Sequence, residues 1–469
     1  MKKNDERVGI VSALGVNGEG IIKEESSVVF VPFALVGEKV KYKVLKVTNK
    51  CVYAKLLEVL TPAENRVRAK CPVFGKCGGC QLQHIKYVQQ LKIKENAIAN
   101  TFKKIANLDV KVKPTIKGDD HYRYRNKLQL PVVQTDIGVI IGFYAENSHR
   151  VVSIDDCYIN APWTKNVITA FKKYIEEFNV KGYNEFEHSG DIREITVKEI
   201  KGNLIITVVA LKNNIPGKDR LIEILSEELK FRFSLYLNVN DKNTNVIYGD
   251  KFTLLYGAPS YVGDMLGVKY KIGVQSFMQV NTSVCAKLYG AVRDAVGADE
   301  DTVVIDAYSG AGLMTALLSK NAKKAIGVEI VPEAVECANE LAQINGLQEK
   351  ITNYLGKCED IVPDIIAKER ADGNKVCLVL DPPRKGCDIK VINAILDSEI
   401  DKIVYVSCKP STLARDIGLL VGTLEVVSGE VKRVENPNAR YDVTTVRPFD
   451  MFAQTKHVET LVCLERKTN

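Results

Sequence analysis

Cys408 closes the run Val406-Ser-Cys-Lys-Pro, at the end of an apolar stretch, Lys402-Ile-Val-Tyr-Val-Ser, that reads as a strand. Lys409 and the start of the following helix would favour its thiolate, and a thiolate at a strand end is a ready nucleophile. The alternative is a buried structural thiol, the common fate of free cysteine. That reading suits Cys285, Cys337, Cys358, Cys377, Cys387 and Cys463. Asp381-Pro-Pro-Arg-Lys-Gly ends another apolar run, and its successive prolines stiffen the loop that carries Asp381. Glu459, in His457-Val-Glu-Thr-Leu-Val-Cys-Leu, begins a late strand that could bring a carboxylate to the same edge, where it would serve as a base.

Two further clusters have ligand character. Asp306-Ala-Tyr-Ser-Gly-Ala-Gly follows an apolar strand and opens a helix, and Gly310 and Gly312 let the backbone turn tightly beside a ligand. Glu329 closes the next strand, where it can accept both hydroxyls of a ribose. A dinucleotide would also suit this loop, but the lack of a third spaced glycine favours S-adenosylmethionine. Cys71, Cys77 and Cys80, with Gly78 and Gly79 between the last two, form a loop that could wrap a metal centre, and Cys157 is the nearest downstream source of a fourth thiolate. An iron–sulfur cluster and a four-thiolate zinc both satisfy that set.

The elements that must position these residues fall into three blocks. Short strands with glycine punctuation over residues 8 to about 60 suggest a small β-barrel of the nucleic-acid-binding kind, giving a first domain over 1–62. Residues 63–270 hold the cysteine cluster, a helical stretch near 84–106 and then mostly strand, with helices near 164–178 and 218–229. From 271 to 469, apolar strands ending in polar residues alternate with helices, which predicts a doubly wound parallel sheet with its site at the carboxyl ends of the strands. The helix near 84–106 is expected to pack on this last unit. The fold class is therefore α/β, with a barrel, a mostly-β middle domain and a Rossmann-like domain.

Size and composition agree. A chain of 469 residues suggests about three domains, and 46% hydrophobic with 26% charged residues is ordinary for a packed protein. The charged N-terminus lacks a secretion signal, and no run approaches the roughly 20 apolar residues needed to span a bilayer, so a cytoplasmic monomer without membrane contact is expected. In such a compartment the twelve cysteines point to metal binding or catalysis rather than disulfides. Residues 81–130 carry eleven Lys or Arg against four Asp or Glu, with Tyr87, Phe102, Tyr122 and Tyr124 interleaved, a composition that suits RNA or simply a solvated helix face.

One chemistry needs a thiolate, a base and an activated methyl group together: methylation of uracil at C5. The chain resembles the RNA uracil-5-methyltransferases over nearly its whole length, and in particular the iron–sulfur, RumA-type branch that modifies 23S ribosomal RNA. The resemblance implies that Cys408 is the nucleophile of a Ser-Cys-x-Pro motif and Glu459 the general base. It implies that Cys71, Cys77, Cys80 and Cys157 hold a 4Fe–4S cluster and that the barrel is a TRAM domain. In Ser276-Phe-Met-Gln-Val-Asn, Gln279 would bind the cofactor and Phe277 stack near a flipped base; Tyr308, Glu329 and Asp381 match the other cofactor positions. One departure is Lys357, where the family carries an acid for the adenine amino group; Glu359 or Asp360 could replace it. The rival readings are the same reaction on transfer RNA, in a branch that usually lacks barrel and cluster, and a non-catalytic RNA-binding or redox-sensing protein.

Overall fold

In Lys39–Val47 charged and apolar residues alternate, so Val40, Tyr42 and Val44 turn inward while the lysines stay in water. This strand pairs with Glu6–Ile10 on one side and Val52–Thr61 on the other. The sheet continues through Ser27–Val31 and Gly20–Glu24 to Ala13–Leu14, a short sixth strand that the sequence pattern did not suggest. Val11, Ile22, Val29, Val31 and Val52 join the inward residues in a core of their own. The computed structural model describes all residues except 16–17, 25–26, 399, 435–439 and 468–469.

A seven-stranded sheet follows in the order Lys251–Tyr256, Arg232–Val239, Asn203–Ala210, Ile192–Ile200, Lys127–Thr135, Gly138–Tyr144, Val151–Ser153. Helices Trp163–Phe178 and Lys218–Glu228 pack on it, the first burying Trp163, Val167, Phe171 and Tyr174 at the three- and four-residue spacing of one helix face.

The third large sheet runs Ile351–Leu355, Lys324–Glu329, Thr302–Ala307, Lys375–Leu380, Lys402–Ser407, Glu459–Arg466, Tyr441–Phe449. Its first five strands are parallel; Glu459–Arg466 runs antiparallel to them, and Tyr441–Phe449, antiparallel in turn to that strand, closes the edge. All six residues of Thr302–Ala307 are buried, as a strand covered by helices on both faces requires. Strand order reverses between Thr302–Ala307 and Lys375–Leu380, which opens a cleft at their carboxyl ends.

Helix Tyr87–Thr101 belongs to this third sheet despite its place in the sequence. Ile98, Phe102 and Ala106 lie four residues apart and share an apolar cluster with Val303, Ile305, Leu378, Ile403 and Ile417. The helix begins at Tyr87 rather than near residue 84, because the chain at His84 and Ile85 bridges back to the segment around Arg66, with the Val67 amide donating to the His84 carbonyl at 2.9 Å. Its last turn, Phe102–Ala106, is a π-helix. Beyond it, the backbone runs along Tyr441–Phe449, with amides of Lys113 and Ile116 donating to the carbonyls of Val446 and Pro448 at 2.8 and 2.9 Å.

A buried ion pair fastens the helix to the segment between the last two strands. Lys94 donates to Asp450 and, at 3.1 Å, to the Phe452 carbonyl, while the Tyr87 hydroxyl donates to the other Asp450 oxygen at 2.6 Å. Both charged residues are almost wholly buried. Removing one partner leaves an uncompensated charge in the interior, so Lys94→Met is expected to cost about 3–5 kcal/mol of stability in urea unfolding, with Lys94→Met/Asp450→Leu recovering part of the loss. A single variant as stable as the parent would show that the pair carries no such constraint.

Candidate active site

Strand Lys402–Ser407 delivers Cys408 to the cleft, and the chain turns at once into helix Pro410–Leu420, with proline at its first position. The Lys409 amide donates to Ser407 Oγ at 3.1 Å, fixing the turn. Glu459–Arg466 runs antiparallel to this strand with Ser407 opposite Thr460. The ladder ends there, and Glu459, the next residue on that strand, comes near enough to Cys408 for its charge to act on the thiol. Glu459 is only 5% exposed. Burial first, and the nearby Asp381 carboxylate second, push its carboxyl up to about 8, against the pull of Arg384.

Burial also raises the Cys408 thiol, and the Glu459 charge adds to it. The opposing influence is a hydrogen bond and positive charge from Arg384. This corrects the expectation from sequence, in which Lys409 was to favour the thiolate: Lys409 is exposed beyond the thiol, and Arg384 is the cation that faces it. The one signal that could have found Arg384 is its place in Asp381-Pro-Pro-Arg.

The Asp-Pro-Pro loop is tied to the nucleophile's own helix. Thr412 Oγ1 donates to the Arg384 carbonyl at 3.2 Å, and Arg415 to that of Lys385 at 3.0 Å. The fully buried Asp416 accepts from the Cys387 amide at 2.8 Å and from the Tyr405 hydroxyl at 2.6 Å. Gly386 is left-handed, and a Cβ there would fall 2.5 Å from Arg415 and Asp416, so only glycine permits this approach. The loop that carries Asp381 and Arg384 is therefore held against the helix that follows Cys408. Asp381 keeps exposed surface, yet burial of its carboxyl raises it to about 7.

Across the cleft lies the glycine loop. Tyr308, Gly310 and Gly312 all have left-handed backbones. At Gly312 a Cβ would meet Ala338 Cβ at 2.7 Å, whereas at Gly310 it would meet nothing, so the two glycines serve close packing and backbone freedom respectively. The Glu329 carboxylate accepts from the Gly310 amide at 3.0 Å and from the amides of Ile330 and Val331 at 2.8 and 2.9 Å. It thus braces the loop, and its two oxygens keep further acceptor capacity. Asp306, not anticipated from sequence, is buried, pushed up to about 7, and accepts from Thr315 Oγ1 at 2.6 Å. Lys357 is exposed before helix Cys358–Ala371; Glu359 is half-buried toward Tyr308, while Asp360 faces Lys390 at 3.6 Å.

The loop Ser276–Asn281 hangs from the middle sheet. Buried Lys198, pushed down to about 7 by burial and by Lys127, donates to the carbonyls of Val274 and Ser276 at 2.6 and 2.5 Å. Asn126 donates to the Gln279 carbonyl at 3.1 Å and to Thr282 Oγ1 at 3.0 Å. Gln279 is half-buried and Phe277 is 72% exposed. Neither Lys198 nor Asn126 stands out in the sequence, since each sits in an unremarkable strand pattern.

Cys71, Cys77, Cys80 and Cys157 are free, half-buried thiols. Each is raised mainly by burial, Cys80 to about 12 and Cys157 to about 11, and each of these two feels the charge of Cys71 and Cys77. The Gly79 amide points at Cys77 Sγ at 3.3 Å, and a Cβ at Gly78 would strike the Glu146 amide at 2.9 Å. Among the described residues, no three His, Cys, Asp or Glu side chains lie close enough to share a single metal ion.

Three comparisons bear on this site. The family model described as tRNA (uracil-5-)-methyltransferase matches residues 86–467. Proteins named uncharacterized RNA methyltransferase from Clostridium acetobutylicum and Halalkalibacterium halodurans are 39% and 36% identical, covering 99% and 100% of this chain and 98% of each relative. The crystal structure of Pyrococcus abyssi tRNA (uracil-54, C5)-methyltransferase with S-adenosyl-L-homocysteine superposes with a TM-score of 0.75 at 24% identity, over 97% of this chain and 99% of that one.

The geometry gives a direct expectation for the thiol. Because Cys408 is held above its ordinary value, its thiolate fraction, and with it alkylation by iodoacetamide, climbs as pH rises. Arg384→Leu moves the thiol further up and slows alkylation of Cys408 at pH 8, read residue by residue by mass spectrometry. An unchanged rate would remove Arg384 from the thiol's surroundings.

Proposed function

Because this chain belongs to the tRNA (uracil-5-)-methyltransferase family, we propose that it methylates C5 of a uridine in RNA through a covalent bond from Cys408. The observation that supports the reading is the pairing of Ser407 with Thr460, which brings the strand ends carrying Cys408 and Glu459 to one edge, where the thiol feels both Glu459 and Arg384. C5 of a neutral uracil is a poor nucleophile. Addition of the Cys408 sulfur to C6 breaks the C5–C6 double bond and leaves electron density at C5, which can then take up a methyl group. S-adenosylmethionine supplies that methyl as an electrophile on a sulfonium. Glu459 next removes the C5 proton, the double bond re-forms and the sulfur leaves. Arg384 stabilises the thiolate before addition and after release.

We assign Gln279, Tyr308, Gly310, Gly312, Glu329 and Asp381 to the cofactor, and the exposed Phe277 to stacking on a base drawn out of the RNA. With Lys357 turned to solvent, Glu359 is the acid better placed for the adenine amino group.

We assign Cys71, Cys77, Cys80 and Cys157 to a 4Fe–4S cluster. The support is the ligand chemistry: four cysteines, near enough that Cys80 and Cys157 feel the charge of Cys71 and Cys77, with the Gly79 amide directed at Cys77 Sγ, are a donor set that such a cluster takes as thiolates. Nothing in the methyl transfer needs an electron, so the cluster is a structural clamp on the RNA-binding part of the chain. Anaerobically purified protein should carry iron and sulfide that Cys80→Ser loses, with a drop in thermal midpoint and in RNA affinity. A variant that is iron-free yet equally stable and active would contradict the clamp.

The RNA would lie over the first sheet, read as a TRAM module, and the basic block of residues 81–130. The domain bounds we use are 1–62, 63–270 and 271–469, with helix Tyr87–Thr101 and the segment after it joined to the last. Our substrate is 23S ribosomal RNA, on the strength of the cysteine cluster. Transfer RNA is the second reading, favoured by the full-length fold likeness to an archaeal tRNA enzyme, which means that an N-terminal module does not by itself mark a ribosomal substrate. Among the described residues no helix is long and apolar enough to cross a membrane, which is compatible with a cytoplasmic RNA enzyme.

Labelled methyl groups should enter unmodified 23S ribosomal RNA and be recovered as 5-methyluridine at one or two discrete positions. Cys408→Ala abolishes transfer, and Glu459→Gln accumulates an RNA–protein adduct seen as a shifted band on a denaturing gel. Full turnover by either variant would remove that residue from the mechanism; transfer to transfer RNA alone would keep the mechanism and change the substrate.

A further inference from the structure

Gln454 has a left-handed backbone, with φ 69°, and is 1% exposed. A non-glycine residue persists in that region only where its surroundings over-determine it. Here they do. Its carbonyl accepts from the amides of Gln81 and Leu82 at 3.2 and 3.0 Å. Its side-chain oxygen accepts from Gln90 Nε2 at 3.0 Å, and its side-chain nitrogen donates to the His121 carbonyl at 3.3 Å. The cysteine loop, helix Tyr87–Thr101 and the segment before Lys127–Thr135 thus converge on one residue of the 450–458 connection. Tyr124 adds a bond to the Ala453 carbonyl at 2.9 Å, and the Lys456 amide donates to Gln81 Oε1 at 3.4 Å.

This connection feeds directly into Glu459. The ladder to the nucleophile's strand begins only at Thr460, and Glu459 itself pairs only with Phe449 on the far side. Its direction therefore depends on how the preceding residues arrive. Cys408 has no such dependence, since it is fixed by Ser407, by its own helix and by the Asp-Pro-Pro loop.

We propose that Gln454 is a positioning residue for the base, acting on removal of the C5 proton and not on attack or methyl transfer. The inference rests on the mechanism above, with Glu459 as base. When Gln454 is disturbed, sulfur still adds to C6 and the methyl group still reaches C5. The methylated uracil then stays bonded to Cys408, because the C5 proton does not leave and the double bond cannot re-form.

The test is a single turnover, with full-length protein in excess over RNA labelled with tritium at uracil C5 and a carbon label on the donor methyl, so that methyl transfer and proton loss are counted separately. In the parent protein the two run one to one. Gln454→Asn keeps an amide and tolerates the left-handed backbone, but is too short to reach both partners. It should retain S-adenosylhomocysteine affinity and methyl transfer, with tritium release slower by roughly tenfold or more and an adduct building up on a denaturing gel. Gln90→Met, which removes the bond to the Gln454 oxygen from outside the connection, should move the same ratio in the same direction, and is the variant to read if Gln454→Asn fails to fold. Equal loss of methyl transfer and tritium release, without adduct, would overturn the proposal, as would no change in either. A parent protein that transfers methyl groups without releasing tritium would instead overturn the underlying mechanism.

Discussion

The site depends on one pairing: an antiparallel strand laid against the last parallel strand of the sheet, with Thr460 opposite Ser407. Parallel strands deliver their carboxyl ends to the same edge, but an antiparallel neighbour delivers its beginning there. A residue just past one strand and a residue at the start of the next are thereby brought together. Side chains alternate along a strand, so a slip of one residue would turn the carboxylate to the opposite face and separate it from the thiol. The buried ladder of Leu461, Val462, Cys463 and Leu464 against Ile403 to Val406 holds the register by packing that any slip would undo.

Around that pairing, the polar residues that shape the cleft are anchored from outside the sheet. Lys198 and Asn126 come from the middle sheet and suspend the Phe277–Gln279 loop; Lys94, Tyr87 and Gln90 come from a helix that precedes the middle sheet in sequence and hold the approach to Glu459. Lys198, Asn126, Lys94 and Gln90 are buried and each donates to at least two partners, while Tyr87 donates to Asp450. Among the described residues, the side-chain oxygens of Asn126 and Gln90 accept nothing. In a low-dielectric interior such networks fix one arrangement, because any alternative leaves charges and amides unpaired.

Much of this was legible in the sequence, and the reason is local. Alternating apolar runs and helices marked the parallel sheet, glycines at Gly310 and Gly312 marked a loop, and Cys408 and Glu459 marked strand ends. The family resemblance rested on the same motifs, and the family model covers them. What stayed hidden is what depends on partners distant in the chain. Lys198 reads as one more charged residue in a strand until Val274 and Ser276 are seen against it. Arg384 displaces Lys409 as the cation at the thiol because the Asp-Pro-Pro loop folds over the following helix, which no spacing reveals. The helix start moved to Tyr87 because an extended bridge to Arg66 outcompetes the helical pattern at His84.

The Lys94–Asp450 pair has a consequence for how the protein is made. Its partners are 356 residues apart, so at a synthesis rate of 5–20 residues per second the lysine waits roughly 20–70 s on the ribosome for its carboxylate. Until the strands from Thr302 onward are made, the apolar stripe of Ile98, Phe102 and Ala106 has no sheet to cover it, although the first sheet and much of the middle one can already have closed. The nascent chain therefore carries a sticky helix between two finished units, which is the kind of segment that holding chaperones engage. Completion of the enzyme is then a late docking event, in which the helix is captured by strands made long after it.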